Sequence, residues 1–501
     1  MMKPSFLKGW RDNCEKLKAA GEAPLLIGYL TMAMKITPNL ERACNFAGEQ
    51  LGGRMGQDLR RRLSACHLRL HSGADEALQG FAQHWEKKLP ELGRSIYLIR
   101  SSLNERRASR ERTLDRSLQL VLQGARARMR EFSSSINLPT LLIYSLGVLL
   151  PLVLVVILPV LSVMELQIGP VPMVLLYCVL LPLLVYFLSS SVLSRRPASF
   201  PLPGVKARVN WFRSIFAAAF TSVLIPVACL WLGAPSEIMV LAVLWGLVLG
   251  ISLSLHLSFR GAFRRREEII QMEEEFSEAL VQLGNRVSEG HPAEEALRHV
   301  AVTMAGSKLA EIFRAAASNI SLGGMGLRAA LFEENRGAMR EVGSGMIQGT
   351  LKMLVDLIER STRAAGEAIL QTAQHLRELR EVREEMRRSM AEVVTSMRAV
   401  ALFFAPLITS VAARVQGVLS EKTAALEFFG TAGISPPEFL LILGVYVIIL
   451  TVILVNYVVE IELGDDGLAK RMAVAGALPV AMVVFTAGTI LGGQLIDFLL
   501  G

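Results

Sequence analysis

Apolar residues gather along this chain in seven long runs, at about 138–161, 171–192, 214–232, 238–258, 399–416, 438–459 and 473–496. A helix needs about 20 such residues to cross the hydrocarbon of a bilayer, so each run predicts a membrane-spanning helix. The fifth run is the weakest, being short and ending on Arg414. Interior prolines stand at Pro151, Pro182, Pro226, Pro406 and Pro479. Membrane helices tolerate them because neighbours satisfy the freed carbonyl, usually with a kink. Elsewhere, at about 1–136 and 259–398, the pattern changes. FSEALVQLGNRVSEG, PAEEALRHVAVTMA and KLAEIFRAAASNIS place apolar residues three and four apart, the period of amphipathic helices. Gly290 followed by Pro292 predicts the end of one helix and the start of the next. A stretch from about 342 to 398 then runs toward the fifth apolar run, and no alternating β pattern longer than a few residues occurs. The expected fold class is all-α: a polytopic membrane protein with about seven transmembrane helices and two homologous cytoplasmic helical bundles. The expected divisions are 1–136 (a bundle), 137–258 (four transmembrane helices), 259–398 (a second bundle) and 399–501 (three transmembrane helices).

Composition agrees with that pattern. Of 501 residues, 52% are hydrophobic and 20% charged, and the mean hydropathy is +0.42, so the chain alternates between lipid and water. Basic residues set the expected orientation. Arg195, Arg196, Lys206, Arg208 and Arg213 after the second run, and Arg260, Arg264, Arg265 and Arg266 after the fourth, mark cytoplasmic segments. The links 162–170 and 233–237 hold only Glu165 and Glu237 and face outside. Strict alternation puts the N-terminus in the cytoplasm and the C-terminus outside, in a multi-pass protein of the cell (inner) membrane. The segment MMKPSFLKGWRDNCEKLK lacks a long apolar core, so insertion is expected to use the internal helices. Residues 1–135 hold 24 Lys or Arg against 14 Asp or Glu, whereas 259–398 hold 20 against 21. The first block therefore suits an acidic protein surface or anionic lipid. Nucleic acid is not an expected partner, because aromatic interleaving is missing.

The two polar blocks resemble one another. LLIGYLTMAMKITPNLERACNFA (25–47) lies over ALVQLGNRVSEGHPAEEALRHVA (279–301) without a gap, pairing Pro38 with Pro292, Glu41 with Glu295 and Ala47 with Ala301. After a one-residue shift, Gly73-x-x-x-Ala77-Leu78 matches Gly326-x-x-x-Ala330-Leu331. Nearer the membrane, Arg126-x-x-Met129-x-Glu131 matches Arg387-x-x-Met390-x-Glu392, and an apolar run follows each. The common order of these matches is the signature of an internal repeat. VSEGHPAEEALRHVA (287–301) with LGGMGLRAALFEE (322–334) resembles the F-protein family of type II secretion systems, which includes the platform proteins of type IV pili and of the archaellum. The copy at 25–85 matches less well, since Ile36-Thr37-Pro38 replaces Gly290-His291-Pro292. Seven spans, four of them between the blocks, look more like the archaeal branch than the bacterial members.

The resemblance implies an inner-membrane platform that couples a separate cytoplasmic hexameric assembly ATPase to the extraction of pilin-like subunits and to filament assembly. It implies two copies or more of the chain among membrane lipids. Candidate contacts with the partner are Arg377, Arg380 and Arg383, in a dense mixed-charge helix, and Asp465, Asp466 and Lys470, in a loop placed in the cytoplasm. Residues expected to shape the repeat are Pro38, Glu41, Gly73, Gly290, Pro292, Glu295 and Gly326. No enzyme chemistry or cofactor is expected. The chain has no G-x-x-x-x-G-K-[ST], HExxH or GxSxG motif. The cluster Leu322-Gly323-Gly324-Met325-Gly326 lacks the phosphate-reaching lysine and reads as a tight turn. His67 and His71 could share a helix face beside Cys66, but no suitably spaced third ligand exists. The five cysteines, Cys14, Cys44, Cys66, Cys178 and Cys229, form no CxxC pair. The competing classes are a transporter or channel, and a receptor or scaffold unrelated to filaments. The apolar runs carry no charge near their centres, which weighs against ion-coupled transport.

Overall fold

The computed structural model describes residues 20–67, 73–87, 89–163, 169–196, 205, 211–340, 342–359, 362–425 and 434–500. Among them every regular element is a helix. The first polar block forms α1 (Ala23–Ile36), α2 (Leu40–Gln50), α3 (Arg54–His67), α4 (Ala74–Glu86), α5 (Pro90–Ser101) and α6 (Arg107–Ser135). The next apolar stretch forms α7 (Asn137–Tyr144), α8 (Leu150–Val163), α9 (Pro170–Val174), α10 (Leu181–Leu193) and α11 (Trp211–Trp231). A 53-residue helix, α12 (Ser236–Ser288), starts apolar and ends polar. The second block continues with α13 (Ala293–Thr303), α14 (Lys308–Ser321), α15 (Leu327–Phe332), α16 (Gly345–Ile358) and α17 (Thr362–Ala399). The chain closes with α18 (Ala405–Ala425), α19 (Pro436–Leu463) and α20 (Gly467–Leu500). Among the described residues, seven helices are long and apolar enough to cross a membrane, one for each apolar run. The stretch 342–398 is divided between α16 and α17.

Caps explain where the polar helices begin. Asn39, Ser307 and Ser344 each accept the backbone N–H three residues on, starting α2, α14 and α16. Gly290 takes φ 91°, a left-handed conformation that suits glycine, and ends α12 just before Pro292 caps α13. The two blocks share a helix order. Adding 254 to each residue number carries α3, Arg54–His67, onto α14, Lys308–Ser321, end to end. Gly73 and Gly326 stand at the N-caps of α4 and α15.

Proline kinks take a particular form. α7 joins α8 through a π turn at Ser145–Leu149, α9 joins α10 through Leu175–Leu180, and α17 joins α18 through Val400–Phe404. Each π turn ends two residues before Pro151, Pro182 or Pro406. A proline offers no N–H to the carbonyl four residues back and its ring crowds that carbonyl, and the wider turn makes room. At Pro151 the deprived carbonyl is that of Gly147, and the Tyr446 hydroxyl of α19 donates to it at 2.5 Å. Pro226 and Pro479 stay inside α11 and α20.

The chain divides into two compact units. The polar unit gathers the described residues of both polar blocks, up to Glu131 and from Arg265 to Arg387. One part of its core joins Phe276, Leu297, Val300, Phe313, Leu354 and Ile369. The blocks pack on each other through α1 and α17, where a Cβ on Gly28 would meet Leu379 at 3.2 Å. α6 and α17 lie side by side and run the same way. Arg107 pairs with Glu367 near their starts (3.0 Å), and Arg126 and Arg130 pair with Glu385 further along (2.8 and 2.7 Å).

The apolar unit comprises the described residues within 132–196, 211–264 and 388–500. α19 is its centre, with 67% of its apolar window buried against α10, α18 and α20, whereas α11 has 6% buried and is peripheral. α11 is held to α12 at Gly246 and Gly250, where an added Cβ would strike the Ser222 and Ala218 carbonyls at 2.7 and 2.8 Å. Small residues allow such close approach where no hydrophobic force drives association. Arg196 is buried beyond α10 and donates to the carbonyl of Ile461 at 3.0 Å, capping the last turn of α19.

Candidate functional site

Charged groups enter a helical bundle only where partners are built for them, because an unpaired buried charge is costly. Among the described residues, three such places in the polar unit show their partners plainly. Glu22, ahead of α1, is buried, and its carboxylate accepts the N–H groups of Arg54, Met55 and Gly56 at the start of α3. Burial raises its pKa, against the lowering effect of those three donors. At the end of α1, Lys35 pairs with Asp115 of α6 at 2.5 Å. His375 of α17, also buried, places Nε2 3.8 Å from the same carboxylate. His375 lies well ahead of the apolar run 399–416. Its pKa is held below the usual value by burial and then by the Lys35 charge, with Asp115 opposing. The third place is Glu273 of α12, which accepts the Ser344 hydroxyl at 2.6 Å. Burial raises the Glu273 pKa, and the Ser344 bond and the Arg383 charge lower it. Tyr29 packs nearby on Phe46, ring edge to face, and feels both charges. Two of the three clusters draw on both blocks.

The three candidate arginines of α17 divide by role. Arg377 is exposed, and among the described residues it has no ion-pair partner. Arg380 reaches Glu384 at 2.9 Å and the Glu274 carbonyl at 3.1 Å, tying α17 to α12. Arg383 is half-buried among the charges just described. In the other unit, Asp466 caps α20 by accepting the N–H groups of Leu468 and Ala469. Lys470 is bonded to Glu460 and Asp465. That loop is thus largely neutralised within itself.

The repeat residues stand at helix starts. Pro38 precedes the cap of α2, Glu41 lies in its first turn, and Glu295 in the first turn of α13 accepts from His291 at 3.1 Å. Gly324 takes φ 61°, so the glycine cluster turns the chain between α14 and α15. Cys66 donates to the Arg62 and Gly73 carbonyls. His71, Glu165, Lys206 and Arg208 lie outside the described residues. Among the described residues no three His, Cys, Asp or Glu side chains converge as metal ligands would.

No family model, curated protein or solved structure matches this chain.

The apolar unit also holds a cavity of about 810 Å³ between α11, α12, α18, α19 and α20. Arg414 sits on its wall, paired with Glu237 at 3.1 Å and donating to the Thr489 carbonyl at 2.8 Å. Trp245 donates across it to Thr486. Arg414, on which the fifth run ends, has its charge answered by Glu237 at the start of α12. The buried seam of the polar unit was less legible. Lys35 closes an otherwise apolar helix and His375 lies three residues after buried Thr372 and four before buried Leu379. Those positions mark a buried face, but nothing in sequence pairs Lys35 and His375 with Asp115.

Proposed function

We propose that this protein is the inner-membrane platform of a type IV pilus-like filament machine or type II secretion machine. The polar unit faces the cytoplasm and receives a separate hexameric ATPase, since the chain carries no phosphate-binding loop of its own. Motion in that partner turns or lifts the polar unit. Helices that continue into apolar runs, chiefly α6 into α7 and α17 into α18, transmit it. A pilin-like subunit with a hydrophobic helix is then drawn from the bilayer into the growing filament. The platform works as two copies or more, to fit the base of a helical assembly. The observation that carries this reading is the doubled helix order: two blocks with matching helices, each leading through a long helix into an apolar run. α6 and α17 run parallel, which supports both blocks lying on one side of the bilayer.

The experiment is disruption of the gene, with surface filaments and secreted proteins as the readout. Their loss, restored by the intact chain, is expected; unchanged filaments and secretion would contradict the reading. The 810 Å³ cavity, with its Arg414–Glu237 pair, favours a transporter as the second reading. That reading requires solute flux through the purified protein in vesicles.

A further inference from the structure

A cleft of about 430 Å³ opens within the polar unit where α1 and α2 of the first block meet α15 and α16 of the second. α2 packs against α16 with the Gln50 amide over Gly349, so close that a Cβ there would stand 2.2 Å from the amide carbon and push that side chain aside. The floor is apolar, from Ile36 and Phe46 on one side and Met353 on the other. The rim is charged. Arg328 and Asp356 pair with each other and cancel. Arg42 and Lys352, one on each wall, are exposed, and among the described residues neither has a carboxylate within ion-pairing distance. The Lys352 ammonium lies 5.6 Å from the centre of the Phe332 ring, which orients it without neutralising it. Glu49 is the remaining acid of the lining, so the rim keeps an excess of positive charge.

An apolar floor inside a charged rim is the anatomy of a protein–protein contact, in which a buried anchor supplies affinity and rim charges supply register. The lining offers side-chain cations rather than a glycine-rich run of backbone N–H groups, which favours a carboxylate on a side chain over a nucleotide phosphate. We propose that this cleft docks a short segment of a protein partner, with an apolar side chain on the Phe46–Met353 floor and an acidic side chain between Arg42 and Lys352. This rests on the reading that the polar unit works with a separate protein. Because the two walls belong to different blocks, an occupant grips both at once.

The test places a photoreactive benzoylphenylalanine at Met353 of the full-length protein in its own cells. The captured peptide is then sequenced by mass spectrometry. The expected result is one partner whose captured segment carries an acidic residue within a helical turn of an apolar one. The pair Arg42→Glu and Lys352→Glu should lower the yield about tenfold or more, with the protein still eluting as the parent does. Reversing the partner's acidic residue to lysine should restore it. Capture of lipid or of this chain alone, a segment without an acid, or a yield indifferent to charge reversal would each overturn the proposal. If the captured partner is no ATPase and none co-purifies with the full-length protein, the cleft stands and the platform reading falls. If an ATPase co-purifies while Met353 captures nothing, the cleft falls and the platform reading stands.

Discussion

Tyr446 illustrates how one side chain repairs what one proline breaks. Its hydroxyl serves the Gly147 carbonyl, which Pro151 leaves without a helical N–H. Tyr446→Phe should cost about 1–3 kcal/mol, the penalty of an orphaned buried acceptor, read as a lower Tm in detergent. Adding Pro151→Ala should recover most of that loss, because the alanine N–H can reach Gly147. Equal losses in the single and double variants would show that the hydroxyl serves no such purpose. His375 makes a prediction of a different kind. Its folded-state pKa lies below the ordinary value of about 6.5. In the window between the two, the unfolded chain holds a proton that the folded chain refuses. The stability linked to this group is therefore complete above about pH 6.5 and lost as the pH falls through that window. His375→Gln should flatten the fall in stability below about pH 6.5, measured by denaturant unfolding of the full chain. An unchanged slope would place the titrating group elsewhere. Neither residue was singled out by the pattern of the sequence, since a tyrosine in an apolar run and a histidine on a buried face acquire meaning only from what lies across the helix interface.

At the scale of the element, most of the fold could be read in advance. Seven runs near bilayer length predicted seven helices, and each run has its helix. The Gly290–Pro292 junction was legible because a left-handed glycine and a fixed proline φ are local properties of two residues. The π turns were not. Five prolines looked alike in sequence, yet only Pro151, Pro182 and Pro406 follow a π turn, while Pro226 and Pro479 remain in unbroken helices. At Pro151 the deprived carbonyl is served by a residue 299 positions away, Tyr446, which no local pattern reveals. α11 offers a test of helix packing. With 6% of its window buried, it depends on the close approach at Gly246 and Gly250. Gly250→Leu drives a side chain into the Ser222 hydroxyl and Ala218 carbonyl and should cost about 1–3 kcal/mol. It should also abolish disulfide cross-linking between cysteines placed on α11 and α12. Retained cross-linking and stability would show that the two helices are not held there.

For the whole molecule, the sequence implied two polar blocks and two sets of apolar helices, whereas the compact division gathers both blocks into one unit. That gathering was hidden because its contacts are long-range: Lys35 with Asp115 and His375, Gly28 with Leu379, Arg107 with Glu367. Periodicity reports which face of a helix is apolar and is silent on which helix covers it. The orientation in the membrane is open to direct test. In a chain freed of Cys14, Cys44, Cys66, Cys178 and Cys229, an impermeant maleimide added to intact cells should label Ala234→Cys and spare Asp465→Cys. The reverse pattern would invert the orientation and take the polar unit away from any cytoplasmic ATPase. As a platform, this chain would serve a separate motor. The most direct measurement is binding of the purified full-length protein, in lipid nanodiscs, to the hexameric secretion-type ATPase purified from the same cells. A saturable complex is expected, weakened by Arg377→Glu on the exposed face of α17. A motor that stays unbound at every concentration, while the same protein in vesicles passes solute, would contradict the platform and establish a transporter in its place.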